Sequence, residues 1–178
     1  MTDDELKALV RTVPDFPKPG IMFRDITTLI ADGRGFAHAV RLLADAAQAA
    51  GAQAIAGMEA RGFIFGAAVA ARLGLGFVPI RKPGKLPVPV LAIDYALEYG
   101  TDTLEVDPGA IPAGQKVVII DDLIATGGTA LATAQLLRRA GAQVDRALFV
   151  IDLPDLGGSM RLRESGLPLF TLVNFDGV

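Results

Sequence analysis

The stretch that most constrains this chain is Val117 to Ala134, VVIIDDLIATGGTALATA. Val117, Val118, Ile119 and Ile120 form a branched apolar run without polar alternation, the pattern of a strand buried on both faces of a parallel sheet. Asp121 and Asp122 follow at once. They fall where such a strand emerges at its carboxyl end, the edge of an open α/β sheet at which ligands bind. Ala125, Thr126, Gly127, Gly128 and Thr129 are small and loop-forming, and helix formers run on from Ala130 to Ala140. The spacing predicts strand, acidic pair, short loop and helix.

Each part has a chemical reason. Backbone N–H groups at a helix start are unpaired and lie at the positive end of the helix dipole, so a Gly and Thr loop there can wrap a phosphate closely. Thr126 and Thr129 add hydroxyl donors. Two adjacent carboxylates are repelled by that phosphate, so they require a ligand rich in hydroxyls, or a cation. A ribose 5-phosphate meets both demands. A Walker loop needs Lys after its glycines and a dinucleotide fingerprint needs G-x-G-x-x-G; neither is present here. An ordinary turn with capping aspartates explains a bare Thr-Gly-Gly-Thr, but several independent cues coincide in this segment.

Composition narrows the class. At 178 residues and 51% hydrophobic, the chain suits one domain, residues 1–178, with a substantial core. A net charge of -3 argues against nucleic acid as a partner, because such binding rests on neutralising phosphates. Cysteine is absent, which excludes a disulfide framework and a thiol nucleophile. The N-terminal MTDDELKALV lacks the basic and apolar regions of a signal peptide, and a cytoplasmic protein is expected. Gly62 to Ile80 carries only Arg72 as a charge, but Gly74, Gly76 and Pro79 break it; a buried helix and strand explain it better than a membrane span.

The remaining segments fall in order. Thr2 to Glu5 has the form of a capping box for a short helix, and Pro14, Pro17 and Pro19 force an extended loop. Ile21, Met22 and Phe23 read, on their own, as a strand packed over the core. Phe36, Val40, Leu43 and Ala47 follow helical spacing, and the sole histidine, His38, is solvent-facing without a catalytic role. Gln53 to Met58 is a second buried strand, followed by Glu59-Ala60-Arg61-Gly62 and a helix from Phe63 to Leu73. This repeats the charged, glycine-containing turn of the main loop, and Arg61 suits a pyrophosphate; a capping Glu59 and a surface Arg61 fit the turn equally well when it is judged alone. Phe77 to Ile80 is a strand, and the basic segment with Arg81, Lys82 and Lys85 among Pro and Gly is expected to be mobile. Tyr95 to Val106 resembles a hairpin arm with little core content, a natural lid. Strands at Val144 to Ile151 and Leu167 to Val173 complete a doubly wound, mostly parallel α/β sheet with a small N-terminal hood.

The segments PDFPKPGIMFRDIT, EARGFIFG, IRKPGKLP and YALEYG, in this order with VVIIDDLIATGGT, resemble the adenine phosphoribosyltransferases of the type I phosphoribosyltransferase family over essentially the full chain. The resemblance implies transfer of the phosphoribosyl group of phosphoribosyl pyrophosphate (PRPP) to adenine, giving AMP and pyrophosphate, in purine salvage. Mg2+ bound through the diphosphate is the implied cofactor, and a homodimer the implied assembly. On the same basis, Ala125, Thr126, Gly127, Gly128 and Thr129 hold the 5-phosphate, and Asp121 and Asp122 the ribose hydroxyls. Glu59, Ala60 and Arg61 form the pyrophosphate turn, with Arg81, Lys82 and Lys85 contributed by the lid region. Phe23 and Leu153 sandwich the purine, whose edge is read by backbone groups of Met22 and Arg24. Glu98 is the implied catalytic acid/base, and Tyr99 closes with it.

Two alternatives remain open from residues alone. Edge reading by backbone atoms leaves little trace in sequence, so another purine, hypoxanthine, guanine or xanthine, could be the acceptor. A PRPP-sensing regulator without catalysis would share the loop, but it calls for a nucleic-acid-binding surface that an acidic chain of this size does not offer.

Overall fold

The computed structural model describes residues 1–96 and 100–177. The apolar runs build its centre. β3 (Ala54–Met58), β4 (Gly76–Ile80), β7 (Val117–Ile124), β8 (Ala147–Asp152) and β9 (Leu169–Asn174) form a five-stranded sheet in the order β4-β3-β7-β8-β9, with every neighbouring pair parallel. Successive residues on a strand point to opposite faces, and the core divides accordingly. Ile55, Val118, Ile120, Leu148 and Val150 face one layer, made by α1 (Asp3–Ala8), α2 (Thr27–Ala31), α3 (Gly33–Ala49) and α4 (Arg61–Leu73). Ala56, Ile119 and Phe149 face the other, where α5 (Gly128–Arg139) and α6 (Gly158–Glu164) pack. Residues of this kind contribute about 1.5–3 kcal/mol each when fully buried.

The hood is the antiparallel pair β1 (Arg11–Pro14) and β2 (Met22–Asp25), with Val13 opposite Phe23. Its helix α1 begins with the expected capping box, Thr2 and Glu5 each bonding the other's backbone N–H. The Gly62 to Ile80 stretch resolves into α4 and β4, and among the described residues no helix is long and apolar enough to cross a membrane.

The hairpin β5 (Leu91–Ala96) and β6 (Thr101–Val106) departs from expectation. Its stem is not poor in core content: Ile93, Leu104 and Val106 are buried in the same apolar layer as Leu136 of α5. Alternation within β5 and β6 puts these apolar residues on one face, a pattern too short to stand out from the polar residues between them. The tip, Leu97, Glu98 and Tyr99, lies outside the described residues.

Strand order decides where a ligand goes. From β3 the chain moves outward to β4, then returns to β7 on the other side of β3. Helix α4 leaves β3 toward one face of the sheet and α5 leaves β7 toward the other. The crevice between the carboxyl ends of β3 and β7 is therefore a topological switch point.

Candidate active site

Two strand exits meet in this crevice. The acidic pair was expected at the end of its strand, but β7 continues through Asp121 and Asp122 to Ile124, because Leu123 and Ile124 still pair with Ile151 and Asp152 of β8. On the other side, pairing with β3 stops at Gly57 opposite Ile120. The aspartates thus stand on a strand supported along one edge and open along the other.

The turn Glu59-Ala60-Arg61-Gly62 fills part of that open edge. Arg61, expected in a turn, is the first residue of α4. Its Nε donates to Oδ2 of Asp122 at 2.5 Å, and Asp122 is almost wholly buried. Burial opposes the Arg61 charge, but the carboxylate of Asp122 outweighs it and raises the guanidinium pKa. Asp121 points to the other face of the strand and its Oδ1 accepts from the Asp122 N–H at 2.9 Å. Loss of water around its carboxylate, then the charge of Asp122, push the pKa of Asp121 well above the usual carboxylate range. Glycine is required at position 62, where a Cβ would lie 2.7 Å from Oδ1 of Asp121.

The loop 125–129 closes the other side. Gly127 adopts φ +80° as the N-cap residue of α5, and a Cβ there would meet Leu162 at 2.8 Å. Helix α6 braces the loop from behind: Gly158 N–H donates to the Ala125 carbonyl at 3.0 Å and Arg161 reaches the Thr126 carbonyl at 3.4 Å. Neither α4 nor α5 has a side-chain cap bond at its start, so their first N–H groups remain available to an anion. The loop, Arg61 and both aspartates line a cavity of about 160 Å³.

An adjoining cavity of about 250 Å³ shares Arg61, both aspartates and Thr129, and adds Glu59, Ala60, Lys82 and Tyr95. The basic segment that leaves β4 was expected to be mobile, yet its first two residues are held in place. Arg81 exchanges both backbone hydrogen bonds with Glu105 of β6, and its Nε donates to Glu59 at 3.1 Å. Glu59 also accepts from the Lys82 N–H at 2.9 Å, and these bonds, led by the one from Arg81, lower its pKa. The Lys82 ammonium pairs with Asp102 on β6. Lys85 is exposed.

The residues expected around a purine stand apart from both cavities. Phe23 is half-buried on β2, with the Phe16 ring edge-on at 5.1 Å. Met22 is exposed beside it, while the Arg24 side chain is buried, bonded to Thr12 and to the carbonyls of Asp176 and Gly177. Leu153 follows β8, and its N–H donates to the Ile124 carbonyl at 3.1 Å. The expected acid/base Glu98, and Tyr99 expected to close with it, lie outside the described residues. His38 is partly exposed on α3 beside Arg41, away from the crevice lining. Three contributors went unnoticed in sequence: Tyr95, Asp102 and Arg161. Their local context is that of ordinary surface residues, and only the tertiary fold brings them to the site.

The pattern of the phosphoribosyl transferase domain matches residues 27–157, which span the crevice from the hood to the start of α6. Adenine phosphoribosyltransferase of Erythrobacter litoralis is 71% identical over 177 residues, covering 99% of both chains. The chain belongs to the adenine phosphoribosyltransferase family. Solved structures of adenine phosphoribosyltransferases share the fold. That from Thermoanaerobacter pseudethanolicus aligns with a TM-score of 0.92 at 48% identity, covering 98% of this chain and 100% of the other. The Saccharomyces cerevisiae enzyme, solved with an imino-altritol bisphosphate and adenine, gives 0.89 at 38% identity, covering 96% and 97%. Within this family the phosphoribosyltransferase fold and the transferase activity account for a crevice in which carboxylates, cations and free helix amides converge.

Proposed function

We propose that this chain salvages adenine by transferring the 5-phosphoribosyl group of PRPP to it, releasing AMP and pyrophosphate. The observation that carries the reading is the convergence, at one switch point, of an uncapped phosphate-sized loop at 125–129, the Asp121–Asp122 pair and the Arg61 turn. The similar Saccharomyces cerevisiae protein was solved with adenine and a sugar bisphosphate analogue.

In this reading the 5-phosphate lies against the amides of Ala125 to Thr129, with hydroxyl donors from Thr126 and Thr129. The ribose hydroxyls bond Asp121 and Asp122; hydrogen bonds donated to Asp121 favour its charged form and offset the burial that raises its pKa. Arg61 and Lys82, in the adjoining cavity, face the diphosphate. As the C1–O bond breaks, negative charge grows on the leaving pyrophosphate, and fixed cations stabilise it more than they stabilise bound PRPP. Glu59 and Ala60 shape this turn; the Glu59 carboxylate is committed to Arg81 and the Lys82 amide.

Phe23 and Leu153 flank the purine. Met22 and Arg24 share one edge of β2, since residues two apart on a strand direct their backbone groups the same way, and that placement suits reading of the adenine edge. The buried Arg24 side chain leaves only its backbone for this role. Glu98 acts as acid/base at the purine N7, and Tyr99 closes over the site. Magnesium keeps several waters and binds largely through substrate phosphates, so an ion carried on the diphosphate leaves Asp121 and Asp122 to the ribose. Mg2+ carried by the diphosphate supplies charge neutralisation for the leaving group. Arg81 and Lys82 are engaged within the chain, which makes the exposed Lys85 the cation best placed to reach a neighbouring subunit of a homodimer. A cytoplasmic location accords with salvage.

The test is AMP formation from adenine, PRPP and Mg2+, beside hypoxanthine, guanine and xanthine. AMP from adenine, with the other bases at least about a hundredfold slower, supports the reading. PRPP binding without AMP formation overturns it.

A further inference from the structure

Two side chains that line the pyrophosphate cavity, Lys82 and Tyr95, converge on one oxygen of a residue that does not line it. Oδ2 of Asp102 pairs with the Lys82 ammonium and accepts from the Tyr95 hydroxyl at 3.1 Å. Its Oδ1 accepts from the Thr103 N–H at 2.8 Å, which fixes the carboxylate plane. The Tyr95 hydroxyl in turn accepts from Thr129 Oγ1 at 3.4 Å, so the chain of contacts ends in the phosphate loop. Asp102 and Tyr95 are cross-strand partners in the hairpin, on β6 and β5. The Lys82 backbone is held independently by Glu59.

From this geometry we infer that Asp102 is a positioning residue for PRPP: it holds the Lys82 ammonium beside the pyrophosphate position and away from Asp121 and Asp122. The inference rests on the transferase reading above and deepens it. Lys82 lines the same cavity as the two aspartates. An unrestrained lysine there has carboxylate partners within the site itself, and pairing with them removes both the cation and the hydroxyl-binding groups. Asp102 supplies a partner outside the cavity wall. Lysine has three donors, so the ammonium can keep Asp102 while directing the others at a diphosphate. Hydrogen bonding to Lys82 lowers the Asp102 pKa, and the same bond holds the Lys82 pKa up against burial, so the pair is charged at neutral pH.

The experiment compares wild type, Asp102→Ala, Lys82→Ala and the double variant by steady-state kinetics, with pyrophosphate as product inhibitor. Asp102→Ala is expected to raise the KM for PRPP and the inhibition constant for pyrophosphate about tenfold, the cost of releasing a lysine's rotamers. The KM for adenine stays within about twofold, because Phe23 and Leu153, the residues proposed around adenine, line neither cavity. The double variant matches Lys82→Ala alone, the signature of action through the lysine. Additive losses, or an adenine KM that rises as much as the PRPP KM, overturn the inference. If Asp102→Ala lowers the melting temperature strongly, Asp102→Asn decides: it keeps an oxygen for Tyr95 but removes the negative charge that pairs with Lys82, and a PRPP-specific rise supports the inference while unchanged PRPP kinetics overturn it. Wild type that makes no AMP refutes the transferase reading instead, a separate result.

Discussion

Arg61 Nε sits 2.5 Å from Asp122 Oδ2, joining the turn after β3 to the strand that carries the acidic pair. Half of the arginine side chain is exposed, at 51%, while the aspartate is at 3%. The pair is unequally exposed: Asp122 depends on its partner for its charge, whereas the guanidinium is half open, and both line the cavity.

Arg61→Ala is expected to cost about 1–2 kcal/mol of stability. That is less than a fully buried pair, because solvent reaches the arginine side and compensates part of the loss. The effect on turnover is larger, about 10²–10³-fold in kcat/KM for PRPP, since the proposed reading turns this preorganised charge toward the leaving group. Arg61→Lys keeps the charge but not the geometry and falls between. Urea unfolding beside steady-state kinetics checks both parts; equal small losses in each would show that Arg61 acts on folding alone.

Gly127→Ala tests the loop. The residue has φ +80°, and a Cβ would press on Leu162 and on the Gly158 carbonyl, 2.8 and 3.1 Å away. Strain in the left-handed region adds about 1–2 kcal/mol, so the loop shifts and PRPP affinity is expected to fall at least tenfold. Calorimetric titration with PRPP measures it. A variant that binds as tightly as wild type would mean that the loop conformation is not set at this glycine.

The hood offers a pH-dependent prediction. Bonds from the Thr27 side chain and N–H, and from Arg11, hold the Asp25 pKa at about 2, below its ordinary 3.8. A group whose pKa is depressed on folding stabilises above its unfolded pKa and loses that stabilisation as pH falls through the folded value. Asp25→Asn is expected to cost about 1 kcal/mol at pH 7, with the gap from wild type closing as pH drops from about 4 toward 2. Urea unfolding at a series of acid pH values checks the trend, and a gap that widens in acid contradicts it.

Much of the site was legible in the sequence because its determinants are local. The run Val117 to Ile120, the aspartates and the small loop residues lie within one segment, and hydrophobic runs with glycine turns announce β3, β7 and their exits. The end of β7 was misplaced because strand length there is set by a neighbour: β8 continues to pair while β3 has stopped. Asp102 and Lys82 lie 20 residues apart, and nothing local marks them as partners. The hairpin stem read as a polar arm for a similar reason, since its burial depends on α5, which comes later in the chain. The purine side is the converse case: Phe23 read as core on its own residues, and only the family resemblance pointed to a base.

Glu98 falls in sequence between β5 and β6, two strands that are anchored in the core and tied to Lys82 and Thr129 through Tyr95 and Asp102. Its proposed task is proton transfer at the purine, and general acid–base catalysis of this kind contributes about 10²–10⁴-fold. A glutamate with its ordinary pKa of about 4.3 is ionised at neutral pH, so acting as an acid demands a raised pKa in the substrate complex, while acting as a base does not. Glu98→Ala is therefore expected to lower kcat by about 10²–10⁴-fold while PRPP still binds within about threefold of wild type. The pH dependence of wild-type kcat separates the two roles: a fall on the alkaline side that disappears in Glu98→Gln marks the acid, and a fall on the acid side marks the base. A variant that loses PRPP binding in step with turnover would instead place Glu98 among the substrate-holding groups.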